Sequence, residues 1–170
     1  MALSFISSSD IEVTVVITCD SSVEATDEER AQYLNTGDLN DLGKVGDSAT
    51  RFTIKALSPS ERERAEVAAG AYTRSELGRF LWIEAPTELK DRARWHHELE
   101  DDEKIALAQY NEYINRVYVE MIRESLVKID DEETSVDSID LIRPESARAH
   151  VVSELVVHIQ RLSTLDPSGK

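Results

Sequence analysis

The amino-acid sequence predicts an α+β fold, mostly α: a short N-terminal β-hairpin or two-stranded sheet followed by a helical bundle. Three observations carry this reading. "EVTVVIT", residues 12–18, is β-branched at six positions, which suits a pleated surface and specifies a helix poorly. "RFTIKAL", residues 51–57, alternates Phe52, Ile54 and Ala56 against Arg51, Thr53 and Lys55, the period of a strand buried on one face. Two later stretches repeat their apolar residues at helical spacing.

The two strand segments are expected to pair. Between them, residues 19–50 read as a long acidic loop or insert, rich in Asp, Ser, Asn and Thr, with three glycines and one short helical turn around "DEERAQYL". A connection this long is uncommon in a compact domain, so it is a candidate binding or disordered segment. After the second strand the chain switches abruptly to helix. Ser58 caps it, Pro59 suits the first helical position, and Glu61 stands three residues past the cap, which makes a capping box.

"ERERAEVAAGAY" then supplies helix formers up to Gly70, and "TRSELGRFLWIEA" brings a second apolar cluster in which Gly70 and Gly78 favour breaks. "PTELKDRARWHHELEDDEK" opens on another cap-like signal at Thr87. The clearest helix spans 102–129, with Leu107, Tyr110, Ile114, Val117, Tyr118, Met121, Ile122 and Ile129 on one face and a length of roughly 40 Å. "DDEETSVDSID" ends it. The last helix starts near Pro144 and aligns Ala147, Val151, Val152, Leu155, Val156, Ile159 and Leu162, so the two are expected to pack together. The polar tail, 166–170, is expected to be loose.

At 170 residues the chain suits a single domain, 1–170, with its own core. Its charge narrows the function classes. With 19 Lys and Arg against 34 Asp and Glu, a formal charge of −15 repels phosphate backbones and anionic lipid, so neither nucleic acid nor membrane is an expected partner. "MALSFISSSD" lacks the basic start and apolar core of a signal peptide, and no run reaches a membrane span, so a cytoplasmic protein is expected. The single cysteine, Cys19, has no disulfide partner in the chain, and Asp20 and Glu24 nearby disfavour its thiolate.

No catalytic signature is present. There is no G-x-S-x-G elbow and no phosphate-binding loop, and the acidic runs lack the spacing of a calcium loop. His96 with Glu100, and His150 with Glu154 and His158, share helix faces at intervals of four. They lack the Glu-x-x-His pairs of a bundle metal site, so a solvated face is the simpler reading. No catalytic residue, metal ligand or cofactor is therefore expected. Phe80, Leu81, Trp82 and Trp95 form the remaining cluster. Large aromatics are usually substantially buried, which reads as core; if exposed, these four are the candidate partner-binding residues.

The order of elements, strand pair, "RFTIKALSPSERER" junction and several helices ending in "VVSELVVHIQRLSTL", resembles the tail assembly chaperones of long-tailed bacteriophages. Phe52, Leu57, Ser58, Glu61 and Arg62 match by character, while the insert from Asp20 to Ser48 departs from the family's pattern. The resemblance implies a protein of the host cytoplasm that coats the helical tape-measure protein and helps recruit the tail-tube protein without staying in the virion, with self-association as a further expectation. It also implies a longer frameshifted product, with which Gly169-Lys170 is compatible. The competing expectations are a phage virion structural protein such as a connector or tail-completion component, an acidic inhibitor that mimics nucleic acid, and a metal-dependent enzyme using His150, Glu154 and His158.

Overall fold

The computed structural model describes residues 11–70, 76–130, 132–133 and 146–164. The fold is mixed α+β and mostly helical, with six helices among the described residues, small antiparallel sheets and N-terminal strands. In chain order the elements are β1 (Glu12–Val16), β2 (Val23–Glu24), α1 (Asp27–Thr36), a 3-10 turn (Leu39–Asp41), β3 (Lys44–Val45), β4 (Arg51–Lys55), α2 (Pro59–Ala68), α3 (Glu76–Glu84), α4 (Leu89–Glu98), α5 (Asp101–Ser125), β5 (Leu126–Ile129), β6 (Glu132–Glu133) and α6 (Ser146–Thr164). The chain divides into two compact units. One comprises residues 1–65 and 118–170, and the other, 66–117, is inserted within it. The expected loose tail, 166–170, lies outside the described residues, as does the Pro144 helix start. Among the described residues no helix is long and apolar enough to cross a membrane.

In the first unit β1 and β4 pair antiparallel, as their alternation suggests, with Val13 opposite Ile54 and Val15 opposite Phe52. The sheet goes further than a two-stranded hairpin. Its order is β1-β4-β5-β6, because residues 126–129 leave the helix expected over 102–129 and pair with β4, Phe52 opposite Ile129. The helix stops at Ser125, whose fully buried hydroxyl donates to the Lys55 carbonyl at 2.6 Å. Pairing with the free edge of β4 satisfies backbone groups that another helical turn would leave without those partners. The core of this unit joins Val15 and Ile54 of the sheet to Leu155, Val156, Ile159 and Leu162 of α6. Each such fully buried aliphatic side chain contributes about 1.5–3 kcal/mol.

The segment 19–50, expected as a long acidic loop or insert, is folded. Val23, Tyr33, Leu42 and Ala49 bury themselves with Val16 of β1 in one cluster. A capping box starts α1: Thr26 Oγ1 accepts from the Glu29 amide (3.2 Å) and the Glu29 carboxylate accepts from the Thr26 amide (2.7 Å). Tyr33, fully buried, anchors the segment by donating to the Val16 carbonyl (3.1 Å) and accepting from the Val16 amide (2.9 Å). α1 ends at Gly37 (φ 72°), a left-handed residue that glycine adopts without strain.

The box at the start of α2 forms as its sequence predicts. Ser58 Oγ accepts from the Glu61 amide (3.3 Å), and Glu61 accepts from the Ser58 amide (2.8 Å) and from Lys55 Nζ (3.0 Å).

Candidate partner-binding groove

The second unit is built on α3, α4 and the first part of α5. α3 carries three charged residues, Glu76, Arg79 and Glu84, and two apolar faces. Its inner face is set by Gly78, where a Cβ would press into the carbonyl of Ala106 and the side chain of Tyr110. Glycine at this position lets the backbones of α3 and α5 approach closely. One turn on, Leu81 is buried with Leu99 and Leu107, and Trp95 packs against that cluster.

The outer face carries Leu77, Phe80 and Ile83 at helical spacing, 45%, 62% and 66% exposed. Large apolar groups grouped in this way on a surface are typical of contact sites. Trp82 is 45% exposed and stacks obliquely on Tyr110, with ring centroids 6.1 Å apart and planes at 57°.

Trp82 and Trp95 together wall a cavity of about 490 Å³, completed by Ile83, Ala85 and Leu107 and by four polar residues, Thr87, Arg92, His96 and Asn111. Arg92 is held beside it by donating through Nε to the Pro86 carbonyl (3.0 Å). The structure thus separates the four aromatic-cluster residues. Leu81 is core, Phe80 faces solvent, and the two tryptophans line the cavity between core and surface. Sequence reading missed Arg92, His96, Leu107 and Asn111 as neighbours of this cluster. The available signal was spacing: Arg92 with His96, and Leu107 with Asn111, are each four apart on a helix.

The histidine set of the first unit does not converge. His150 is exposed, Glu154 accepts from the Thr18 amide (2.7 Å) and hydroxyl (2.6 Å), and His158 is fully buried against Tyr33, ring centroids 4.8 Å apart. Burial, with the nearby Arg161 charge, pushes His158 down to about 4, so the imidazole is neutral at ordinary pH. Burial likewise pushes the Tyr33 phenol up to about 12. Among the described residues no group of three His, Cys, Asp or Glu is placed to hold a metal ion. Cys19 is exposed, and its thiol is pushed up by partial desolvation first, then by Glu154 and Asp20, which disfavours the reactive thiolate.

No family model, curated protein or solved structure matches the chain.

Proposed function

We propose that this protein is a tail assembly chaperone of a long-tailed bacteriophage, which binds the tape-measure protein in the host cytoplasm and helps recruit tail-tube subunits. The observation that carries the proposal is the outer face of α3, where Leu77, Phe80 and Ile83 stand exposed beside a cavity walled by Trp82 and Trp95. A long helical client exposes apolar stripes until it is assembled, and such a stripe is masked by laying it along an apolar helix face or groove. The resemblance of the strand–capped-helix junction to that family supplies the identity of the client. The charge of −15 favours encounter with a basic client and limits nonspecific self-association.

The test is co-expression with the tape-measure protein encoded by the same phage, followed by co-purification and analysis of gradient-purified virions. A soluble complex that weakens when Phe80→Ser and Ile83→Ser are combined, with this chain absent from virions, supports the reading. Retention in virions at fixed stoichiometry points instead to a connector or tail-completion component.

A further inference from the structure

We propose that α1 is a movable cover over the outer edge of β1, held shut by Tyr33 and released when His158 takes up a proton. Lifting the cover bares a strand edge that the closed protein keeps occupied.

Among the described strands β1 lies at the end of its sheet. It pairs with β4 through the backbone groups of alternate residues: the Ala56 amide donates to the Ile11 carbonyl (3.1 Å), and Val13 and Val15 stand opposite Ile54 and Phe52. The backbone groups of Glu12, Thr14 and Val16 therefore point away from β4. At Val16 the place of a neighbouring strand is taken by one side chain. The Tyr33 hydroxyl accepts from the Val16 N–H and donates to its C=O, satisfying both groups at once. An unpaired strand edge is a template for pairing with another chain, and Tyr33 blunts it at this end.

α1 is fastened to α6 at two points that both bear on Tyr33. Arg161 donates through Nη1 to the Tyr33 carbonyl (3.4 Å), and its guanidinium lies where a Cβ on Gly37 would stand, so it supplies the cation that the last turn of α1 lacks. The second point is the packing of the His158 ring on the Tyr33 ring. His158 is fully buried, and neither of its ring nitrogens has a hydrogen-bond partner among the described residues.

A proton added there meets no acceptor. On α6, one turn to either side, Glu154 is engaged by Thr18 and Arg161 is itself a cation. From α1 come Tyr33, whose phenol stays neutral up to about pH 12, and Arg30, whose Nε donates to the Ala25 carbonyl. The other buried polar residues, Thr18, Glu61 and Ser125, are bonded elsewhere. An imidazolium at this position needs water, and water enters by the least costly opening. Tyr33 is the one buried residue of α1, whereas α6 buries Leu155, Val156, Ile159 and Leu162, so α1 is the element that lifts.

Amide hydrogen exchange on the full chain, corrected for the intrinsic effect of pH, tests this. Val15 and Val16 are neighbours whose amides lie on opposite sides of β1, the first towards β4 and the second on Tyr33. At pH 5 Val16 is expected to exchange at least about tenfold faster than Val15. The closed form holds His158 at about 4, against about 6.5 once it is exposed, so closure is complete above about pH 6.5 and weakens as pH falls towards 4. The protection of Val16 should accordingly fall about 25-fold between pH 7.5 and 5. His158→Leu should reduce that fall to less than about twofold. Tyr33→Phe, which keeps the ring and removes the hydroxyl, should lower the protection of Val16 at least about tenfold at pH 7.5 and leave Val15 unchanged.

Equal protection of Val15 and Val16 at pH 5 would overturn the cover, because both would then exchange through unfolding of the whole unit. Protection of Val16 that does not change with pH, or a change that persists in His158→Leu, would overturn the role of His158. The comparison of the two valines and its pH dependence are read in the unsubstituted protein, so they decide the matter even where the leucine variant does not fold.

Discussion

Glu154 spans the fold to hold Thr18: its two carboxylate oxygens accept from the Thr18 amide at 2.7 Å and from the Thr18 hydroxyl at 2.6 Å. Thr18 is buried and ends the run of β-branched residues that begins in β1, so the pair fastens α6 to the end of that strand. Charge-assisted bonds of this kind are the stronger class, and a buried donor that loses its acceptor carries the full cost of its desolvation.

Glu154→Ala is accordingly expected to destabilise the protein by about 2–4 kcal/mol, with Glu154→Gln costing less because one amide oxygen remains to accept. Urea unfolding measures both. A double-mutant cycle with Thr18→Val should give a coupling of about 1 kcal/mol or more, and additivity would show that the two groups act independently.

Stability should fall on mild acidification because of His158. Its folded-state value is depressed to about 4, against about 6.5 in the unfolded chain, so the unfolded state takes up the proton first. Stability is complete above about pH 6.5, declines as pH falls towards 4, and stops changing from this source below that. The loss is about 3 kcal/mol. His158→Leu should flatten the slope of unfolding free energy over this window, and an unchanged slope would assign it to other groups.

A second acid step is expected at lower pH, from Glu61. Burial alone would raise its carboxyl, but hydrogen bonds from Ser58 and Lys55 and the charge of Lys55 hold it down at about 2. A depressed carboxyl contributes stability above its unfolded value of about 4.3, and that contribution is lost as pH falls through the folded value. Glu61→Gln should remove the step between about pH 4 and 2 while leaving the His158 step in place, as acid titration followed by circular dichroism would show.

Gly78→Ala is expected to cost about 1–3 kcal/mol, because the added methyl meets the backbone of Ala106 and forces α3 away from α5. Displacement of α3 also moves Trp82 from Tyr110, so tryptophan fluorescence at low denaturant should change before global unfolding. An unchanged spectrum would mean that α5 gives way instead.

Phe80→Ser should behave in the opposite manner. The ring is 62% exposed, so the change should stay within about 0.5 kcal/mol in stability while weakening the proposed complex with the tape-measure protein at least several-fold. A large loss of stability would mark Phe80 as a packing residue.

Much of the fold was legible because its signals are local. Six β-branched residues in succession, the alternation of Phe52 and Ile54, and the Ser58–Glu61 box each need only a few neighbours to be read. The end of α5 was not legible, because Ile122 and Ile129 fit the helical stripe and residues 126–129 suit either state. What decides is β4, far away in the chain, whose free edge takes Leu126–Ile129. The internal structure of segment 19–50 was hidden for a related reason. Its apolar residues are sparse, and Val23, Tyr33, Leu42 and Ala49 become a core only once Val16 brings them together. The Thr26–Glu29 box that starts α1 follows the same rule as the Ser58 box and was open to the same reading. At the candidate groove, the cluster of aromatic residues was visible, but its division into core, surface and cavity wall depends on the approach of α3 to α5 at Gly78.

The insertion of residues 66–117 into the first unit sets an order of events during synthesis. β1 and β4 leave the ribosome early, but the strand that covers the edge of β4 and the helix that supplies Leu155 and Ile159 are made only after the whole second unit. The inserted unit is continuous in sequence and can gather its own contacts first. Until Ile129 has emerged, the nascent chain carries an unpaired strand edge, and codons that slow translation beyond it lengthen its exposure to aggregation and to host chaperones.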